Sequence, residues 1–333
     1  MKKTILTASG AFLACAVTAV AGPINGKGIP ADAFIVGHID CDAAVKTPLG
    51  REIKRLITAT PDSNFKAEDF KKKGIAQVND ITLGSVLSGG KDVLTFVVRG
   101  QFQPELIYAA AAKDQLKIVN VGKHRFAVVN LSQKMNMKNT PVSDTNSDHV
   151  YFCPIDTKTI IGVSDLKCAN QLIAAHSGAA KSYMPPAALL TYGKNTGTPW
   201  VLAYGTNAKP QASSGGIEIP LPKTLFVALG EHAGQLKSRV ALDYNSSAEA
   251  QQFYDTVHMV LSILTSTMAS QVNDPDGKPD PAKVKSADDL KKIIAAVKHS
   301  AKDKRYTLSF DWPATELIRL IKEAENKKQK LLQ

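Results

Sequence analysis

Apolar and polar positions along this chain follow two periods by turns, one near two and one near 3.6, and the changes of period outline the elements. The run Ala33-Phe34-Ile35-Val36-Gly37-His38-Ile39 has the β-branched and aromatic content of a strand. Thr47-Pro48 then offers an N-cap and an N1 proline, and Leu49, Ile53, Leu56 and Ile57 follow at i, i+4, i+7 and i+8 of a helix. Lys71-Lys72-Lys73 reads as a solvated turn. Two strands flank Ser88-Gly89-Gly90-Lys91, the second covering 93–98, and Pro104 opens a helix through Ala112. A second hairpin, 117–121 and 125–131, turns at Gly122-Lys123. After a polar loop over 136–148, strands at 150–155 and 159–163 lead to a helix over 166–175 that Ser164 or Asp165 caps.

Beyond Pro185-Pro186 and the Gly, Asn and Thr cluster at 193–198, which reads as a boundary, the grammar resumes. Strands at 225–229 and 236–242 precede Ser246-Ser247-Ala248-Glu249, a capping box. The long helix behind it sets Phe253, Val257, Val260, Leu261, Leu264 and Met268 on one stripe. A Pro- and Asp-rich loop over 273–281, a helix at 287–298, a strand at 305–310 and a last helix opened by Pro313 complete the chain. Hairpins interspersed with helices predict an α+β fold with largely antiparallel sheets. The expected domains are 22–184 and 185–333, each an α+β half. Two correspondences suggest duplication: strand then proline-led helix at 104 and 313, and hairpin, cap and helix at 150–175 and 225–268.

The N-terminus changes this picture. Lys2 and Lys3, an apolar stretch from Ile5 to Val20, and small residues at Ala19 and Ala21 predict a signal peptide cut after Ala21. The mature chain would be secreted or periplasmic. A lipoprotein cut before Cys15 is the rival, but Leu13 sits one place too close to that cysteine. No later apolar run reaches membrane-spanning length, so no transmembrane anchor is expected.

Charge adds a partner. The formal net charge is +11, and it is unevenly placed. Residues 278–333 carry 14 Lys and Arg against 8 Asp and Glu, whereas 211–277 carry 3 against 7. Lys291, Lys292, Lys298, Lys302, Lys304, Arg305, Lys327, Lys328 and Lys330 make the C-terminal region a candidate polyanion-binding surface, the partner being DNA or an acidic glycan. A solvated helix face is the plain alternative.

Three cysteines remain after the signal peptide: Cys41, Cys153 and Cys168. An oxidising compartment allows one disulfide, and Cys153–Cys168 is the favoured pair because the segment between them reads as a hairpin; three buried thiols is the other reading. Recognised catalytic motifs are absent from the sequence: no G-x-S-x-G, no Walker loop, no His-Glu-x-x-His and no paired Cys-x-x-Cys. His38, Asp40 and Asp42 would share one face if the strand ran on, a possible metal or acid/base cluster, against the plain reading of a strand end. His149 and Cys153 form a possible nucleophile pair without an orienting third group. Asn273-Asp274-Pro275-Asp276-Gly277 resembles a calcium loop, but Val272 and Lys283 stand where two essential ligands belong. Neither a cofactor nor a metal is expected.

Pro30-Ala31-Asp32-Ala33, Gly37-His38-Ile39-Asp40 and Thr47-Pro48-Leu49-Gly50 resemble the mature start of secreted planctomycete and verrucomicrobial proteins of unknown function. The whole chain is similar to secreted proteins of the mucus-dwelling Akkermansia type, which implies host mucin as an environment. The leading expectation is a secreted, non-catalytic protein that contacts polyanions through its basic C-terminal region. An extracellular hydrolase acting on glycoprotein with an unrecognised site, and a structural or partner-binding envelope protein, are the alternatives.

Overall fold

The computed structural model describes residues 24–59, 67–130, 149–187, 196, 198–206, 220–270 and 281–331. The signal-peptide stretch 1–21, the 136–148 loop and the calcium-like run at 273–277 lie outside them. The fold is α+β, and every strand pair with a defined register is antiparallel.

The chain forms two compact units, one of Met1–Leu190 with Thr198–Ala203, the other of Thr191–Gly197 with Tyr204–Gln333. The strand Thr198–Thr206 (β8) thus contributes residues to both, where the sequence suggests only a boundary. In the first unit β1 (Ile35–Asp40), β2 (Ile75–Ser88), β3 (Lys91–Phe102), β7 (Thr159–Val163), β6 (His149–Pro154), β5 (His124–Asn130) and β4 (Ile118–Val121) lie side by side in that order. Its helices are α1 (Cys41–Ala44), α2 (Pro48–Ala59), α3 (Ala67–Lys72), α4 (Pro104–Lys113) and α5 (Ala169–Ser177).

Local chemistry sets these limits. The Gly50 amide donates to Thr47 Oγ1 at 3.1 Å, so Thr47 caps α2. Asp165, not Ser164, caps the 3₁₀ turn Leu166–Cys168 that leads into α5, accepting from Lys167 N at 3.0 Å, while Ser164 Oγ accepts from Leu94 N. Gly89 and Gly90 take φ of 56° and 78°, which only glycine adopts without cost, and this closes the β2–β3 hairpin.

The second unit runs β9 (Thr224–His232), β10 (Gln235–Asp243), α6 (Ser247–Ser270), α7 (Pro281–Ala296), β11 (Val297–Lys302), β12 (Arg305–Pro313) and α8 (Ala314–Leu331). Its sheet order is β11-β12-β10-β9. The capping box forms: Ser246 Oγ accepts from Glu249 N at 3.2 Å and the Glu249 carboxylate reaches back to Asn245 N at 3.1 Å. Leu242, Tyr244, Ala250 and Tyr306 form one core cluster, with Leu225, Val240, Phe253, Tyr254, Val257 and Leu308 packed on it. Phe253 meets Tyr306 edge-on at 4.9 Å, a geometry that adds about 1 kcal/mol to the burial itself.

Two expectations about this unit are corrected. The helix at 287–298 ends at Ala296, and Val297–Lys302 is a strand. Asp303, at φ 52°, reverses the chain so that β11 and β12 pair as a hairpin, and tertiary pairing overrides the helix propensity of the Lys- and Ala-rich sequence. The long α6 stripe is only half used. Phe253 and Val257 reach the core, whereas Val260 and Leu264 remain 48% and 44% exposed.

The units share a connectivity. In each, a hairpin (β2–β3, β9–β10) is followed by a helix, and a later hairpin (β6–β7, β11–β12) brings its second strand beside the second strand of the first hairpin. A helix follows that strand in both, α5 after β7 and α8 after β12. This pairs α4 with α6 and α5 with α8, a different alignment from the one the local sequence suggests.

Candidate polyanion interface

In antiparallel strands, directly opposed residues share a face and neighbours along one strand alternate. The register therefore assigns the two faces of the β9–β10–β12–β11 sheet. Leu225, Leu242 and Tyr306 align across one face, with Val227, Val240 and Leu308 beside them, and this is the face on which α6 packs. The other face carries Lys237 opposite Asp311, Arg239 opposite Ser309, and Asp243 opposite Arg305. The edge strand β11 continues it with Lys298 opposite Ser309, Ser300 opposite Thr307, and Lys302 opposite Arg305. Five cations, two carboxylates and three hydroxyls thus lie on one side of three strands.

The carboxylates order two of the cations. Arg305 donates from Nε and Nη2 to Asp243 at 2.5 and 2.9 Å, and Thr224 Oγ1 adds a third donor to the same carboxylate at 2.8 Å. Arg239 grips Asp311 from Nη1 and Nη2 at 2.5 and 3.0 Å, diagonally across the β10–β12 pair. Both carboxyls are held below the usual carboxylate range, first by these guanidinium hydrogen bonds. The nearby Lys237 and Lys298 depress Asp311 further. Ser300 and Thr307 hydroxyls meet at 2.9 Å. Lys298, Ser300 and Lys302 are exposed, as are Arg305 and Asp311. Two bidentate pairs fix the geometry, and the three lysines leave the face with a positive surplus.

The nine basic residues singled out in the sequence are divided by the structure. Lys298, Lys302 and Arg305 share the face just described, and Lys304 stands in the turn at its end. Lys291 and Lys292 belong to α7, which packs against α6, β11 and β12, and Lys291 lies 3.8 Å from Asp288. Lys327, Lys328 and Lys330 lie on the last turns of α8. Sequence reasoning missed Lys237 and Arg239, which fall in the acidic 211–277 segment. Only the strand register, with period-two alternation over 235–243, brings them to the same side.

The other candidate chemistry has structural employment. His38 is buried, with Nδ1 2.9 Å from Thr82 Oγ1, and burial first, then Arg99, pushes its pKa down to about 4. Arg99 bridges Asp80 at 2.7 Å and also donates to the Asn25 and Lys27 carbonyls, pinning the start of the described chain to β2 and β3. Asp40 caps α1 through Ala43 N, and Asp42 lies in that helix, accepting from Gln77. The His38-Asp40-Asp42 run therefore does not continue as a strand. His149 and Cys153 lie four residues apart on β6, about 13 Å along a strand, too far for a nucleophile and its base.

In the structure Cys41, Cys153 and Cys168 are all thiols. The β6–β7 hairpin does return on itself, but its register carries the chain away from Cys153. Cys153 faces Ile161, and by Val163 the partner is already Tyr151. Cys168 follows beyond that end of the hairpin, while the Cys153 sulfur lies 3.7 Å from Tyr108 Oη, buried. Among the described residues no group of three or more His, Cys, Asp and Glu is placed to hold a metal ion. No helix among them is long and apolar enough to cross a membrane.

No family model and no curated protein matches the chain. Solved structures of TP0453 are similar over most of its length. Crystal form III aligns at 9% identity over 90% of this chain and 98% of the other, with a TM-score of 0.47. Crystal forms I and IV align at 10% and 9% identity over 90% of this chain and 97% of the other, with TM-scores of 0.45 and 0.44.

Proposed function

We propose that this is an exported, non-catalytic protein that contacts anionic polymers through the polar face of β10, β12 and β11. The observation that carries the reading is the alignment of Lys237, Arg239, Lys298, Lys302 and Arg305 on one side of three strands. Arg239 and Arg305 are held by carboxylates as a rigid frame, and the lysines supply mobile charge at its surface. Among the hydroxyls between them, Ser309 donates to Lys298 O, while Ser300 and Thr307 share one hydrogen bond and so keep one donor for phosphate, sulfate or carboxylate oxygens. Such a face recognises spacing of negative charge and not base or sugar identity. DNA, sulfated or sialylated mucin glycans and anionic envelope polymers are ligands of the right chemistry. The Lys2-Lys3 start, the apolar run and Ala19-Val20-Ala21 support the export part of this reading.

The test is equilibrium binding of heparin oligosaccharide, with a neutral oligosaccharide of equal length as control. Heparin should bind in low salt and the control should not. A protein that binds neither, or both alike, would refute the reading.

A further inference from the structure

The far half of α6 leaves one side exposed in its own unit, although His258 stacks on His299 and α7 packs against the helix. From Thr256 to Ser270 the helix contains no Asp, Glu, Lys or Arg. Met259, Val260, Ile263 and Leu264 are 48%, 48%, 55% and 44% exposed, and their spacing of i, i+1, i+4 and i+5 puts them on one side. The hydroxyls around them bond to the helix itself. Thr256, Ser262 and Thr265 donate to the carbonyls four residues back, at 2.8–2.9 Å, and Ser266 donates to Ile263 O at 2.9 Å. Exposed hydroxyls satisfied in this way place no demand on water. The stretch thus lacks Asp, Glu, Lys and Arg, and the hydroxyls of Thr256, Ser262, Thr265 and Ser266 are already paired, while Phe253 and Val257 hold the preceding turns to the core.

We propose that this half of α6 seats in the surface of an anionic lipid bilayer. Three observations favour that occupant. Four half-exposed side chains supply roughly a few hundred Å², short of the ~800 Å² per partner that a stable dimer buries. The patch is aliphatic and lacks the Trp, Tyr or Arg anchors that dominate protein interfaces. Positive charge adjoins it: residues 278–333 carry 14 Lys and Arg against 8 Asp and Glu, and α7, packed against α6, exposes Lys291 and Lys292 beside Leu290, itself 38% exposed. The stretch of 15 residues is about 22 Å long, less than the ~30 Å hydrocarbon core, so the helix would lie in the interface and not span it. This surface is distinct from the β10–β12–β11 face, and the inference stands or falls without it.

Flotation of the full chain with lipid vesicles tests it, using phosphatidylcholine alone and phosphatidylcholine with about one-third phosphatidylglycerol. The protein should float with the anionic vesicles at least tenfold more strongly than with neutral ones. Val260→Glu with Ile263→Glu should cut that flotation by about tenfold or more and leave heparin binding and melting temperature unchanged. Should the double variant fold poorly, Val260→Ser with Ile263→Ser at the same exposed sites gives the same readout with a smaller loss. Flotation with neither vesicle would overturn the proposal. So would anionic flotation that both variants leave intact, which assigns it to charge alone, and so would a dimer dissolved by the variants without vesicle binding, which assigns the patch to a second copy.

Discussion

Arg305 and Asp243 stand directly opposite each other on β12 and β10, joined by two guanidinium hydrogen bonds, and they fix one end of the polar sheet face. The pair is largely solvated, so its stabilisation is of the order of a surface ion pair, about 0.5–1 kcal/mol. The aspartate pKa is lowered in the fold, which makes the contribution fully present above the ordinary carboxylate range and lost as pH falls through the folded value. Arg305→Gln should therefore cost up to about 1 kcal/mol at neutral pH, and the gap to the parent should close below about pH 4. Urea titrations of both proteins at several pH values measure it.

His38 gives a larger pH effect of opposite location. Its imidazole is kept neutral by burial against Thr82 and Arg99, with a pKa near 4 in place of 6.5. Between those values the unfolded chain binds a proton that the folded chain refuses, so stability falls as pH drops from about 6.5 to about 4. The loss integrates to about 3 kcal/mol. His38→Gln should flatten the stability profile in that window. An unchanged slope in the variant would assign the dependence to other groups.

The cysteines should behave as three thiols of unequal reach. Cys153 and Cys168 are buried, and burial raises the Cys153 pKa, whereas Cys41 is partly exposed. Alkylation of the native protein should modify Cys41 first, and denaturant should release the other two. A non-reducing peptide map showing Cys153 joined to Cys168 would contradict the structure.

Much of the fold could be read from local pattern. The caps at Thr47, Asp165 and Ser246 lie where side-chain oxygens meet orphan helix amides, because capping depends on residues two or three apart in sequence. The interface was less legible. Val297–Lys302 has the composition of a helix end, and its strand state comes from β12, a partner reached through the Asp303 turn. Lys237 and Arg239 lie in a stretch whose net charge is negative, and they join the basic face only once β10 is registered against β12. Likewise the apolar stripe of α6 reads as core throughout, since periodicity reports an amphipathic face but not what covers it.

The central claim concerns the β10–β12–β11 face, and the salt dependence of duplex DNA or heparin binding tests it most directly. Lys237, Lys298, Lys302 and Lys304 are the residues to replace by Gln, because they leave the Arg239–Asp311 and Arg305–Asp243 pairs in place. For duplex DNA the logarithm of affinity should fall with the logarithm of salt at about −0.9 per phosphate contact. With roughly three to five contacts, binding seen at about 50 mM salt should be nearly gone at about 200 mM. The account predicts a slope of about −2.7 to −4.5 for the parent and a clearly shallower one for the fourfold Gln variant, at equal melting temperature. A variant that binds as tightly as the parent at every salt concentration would contradict it.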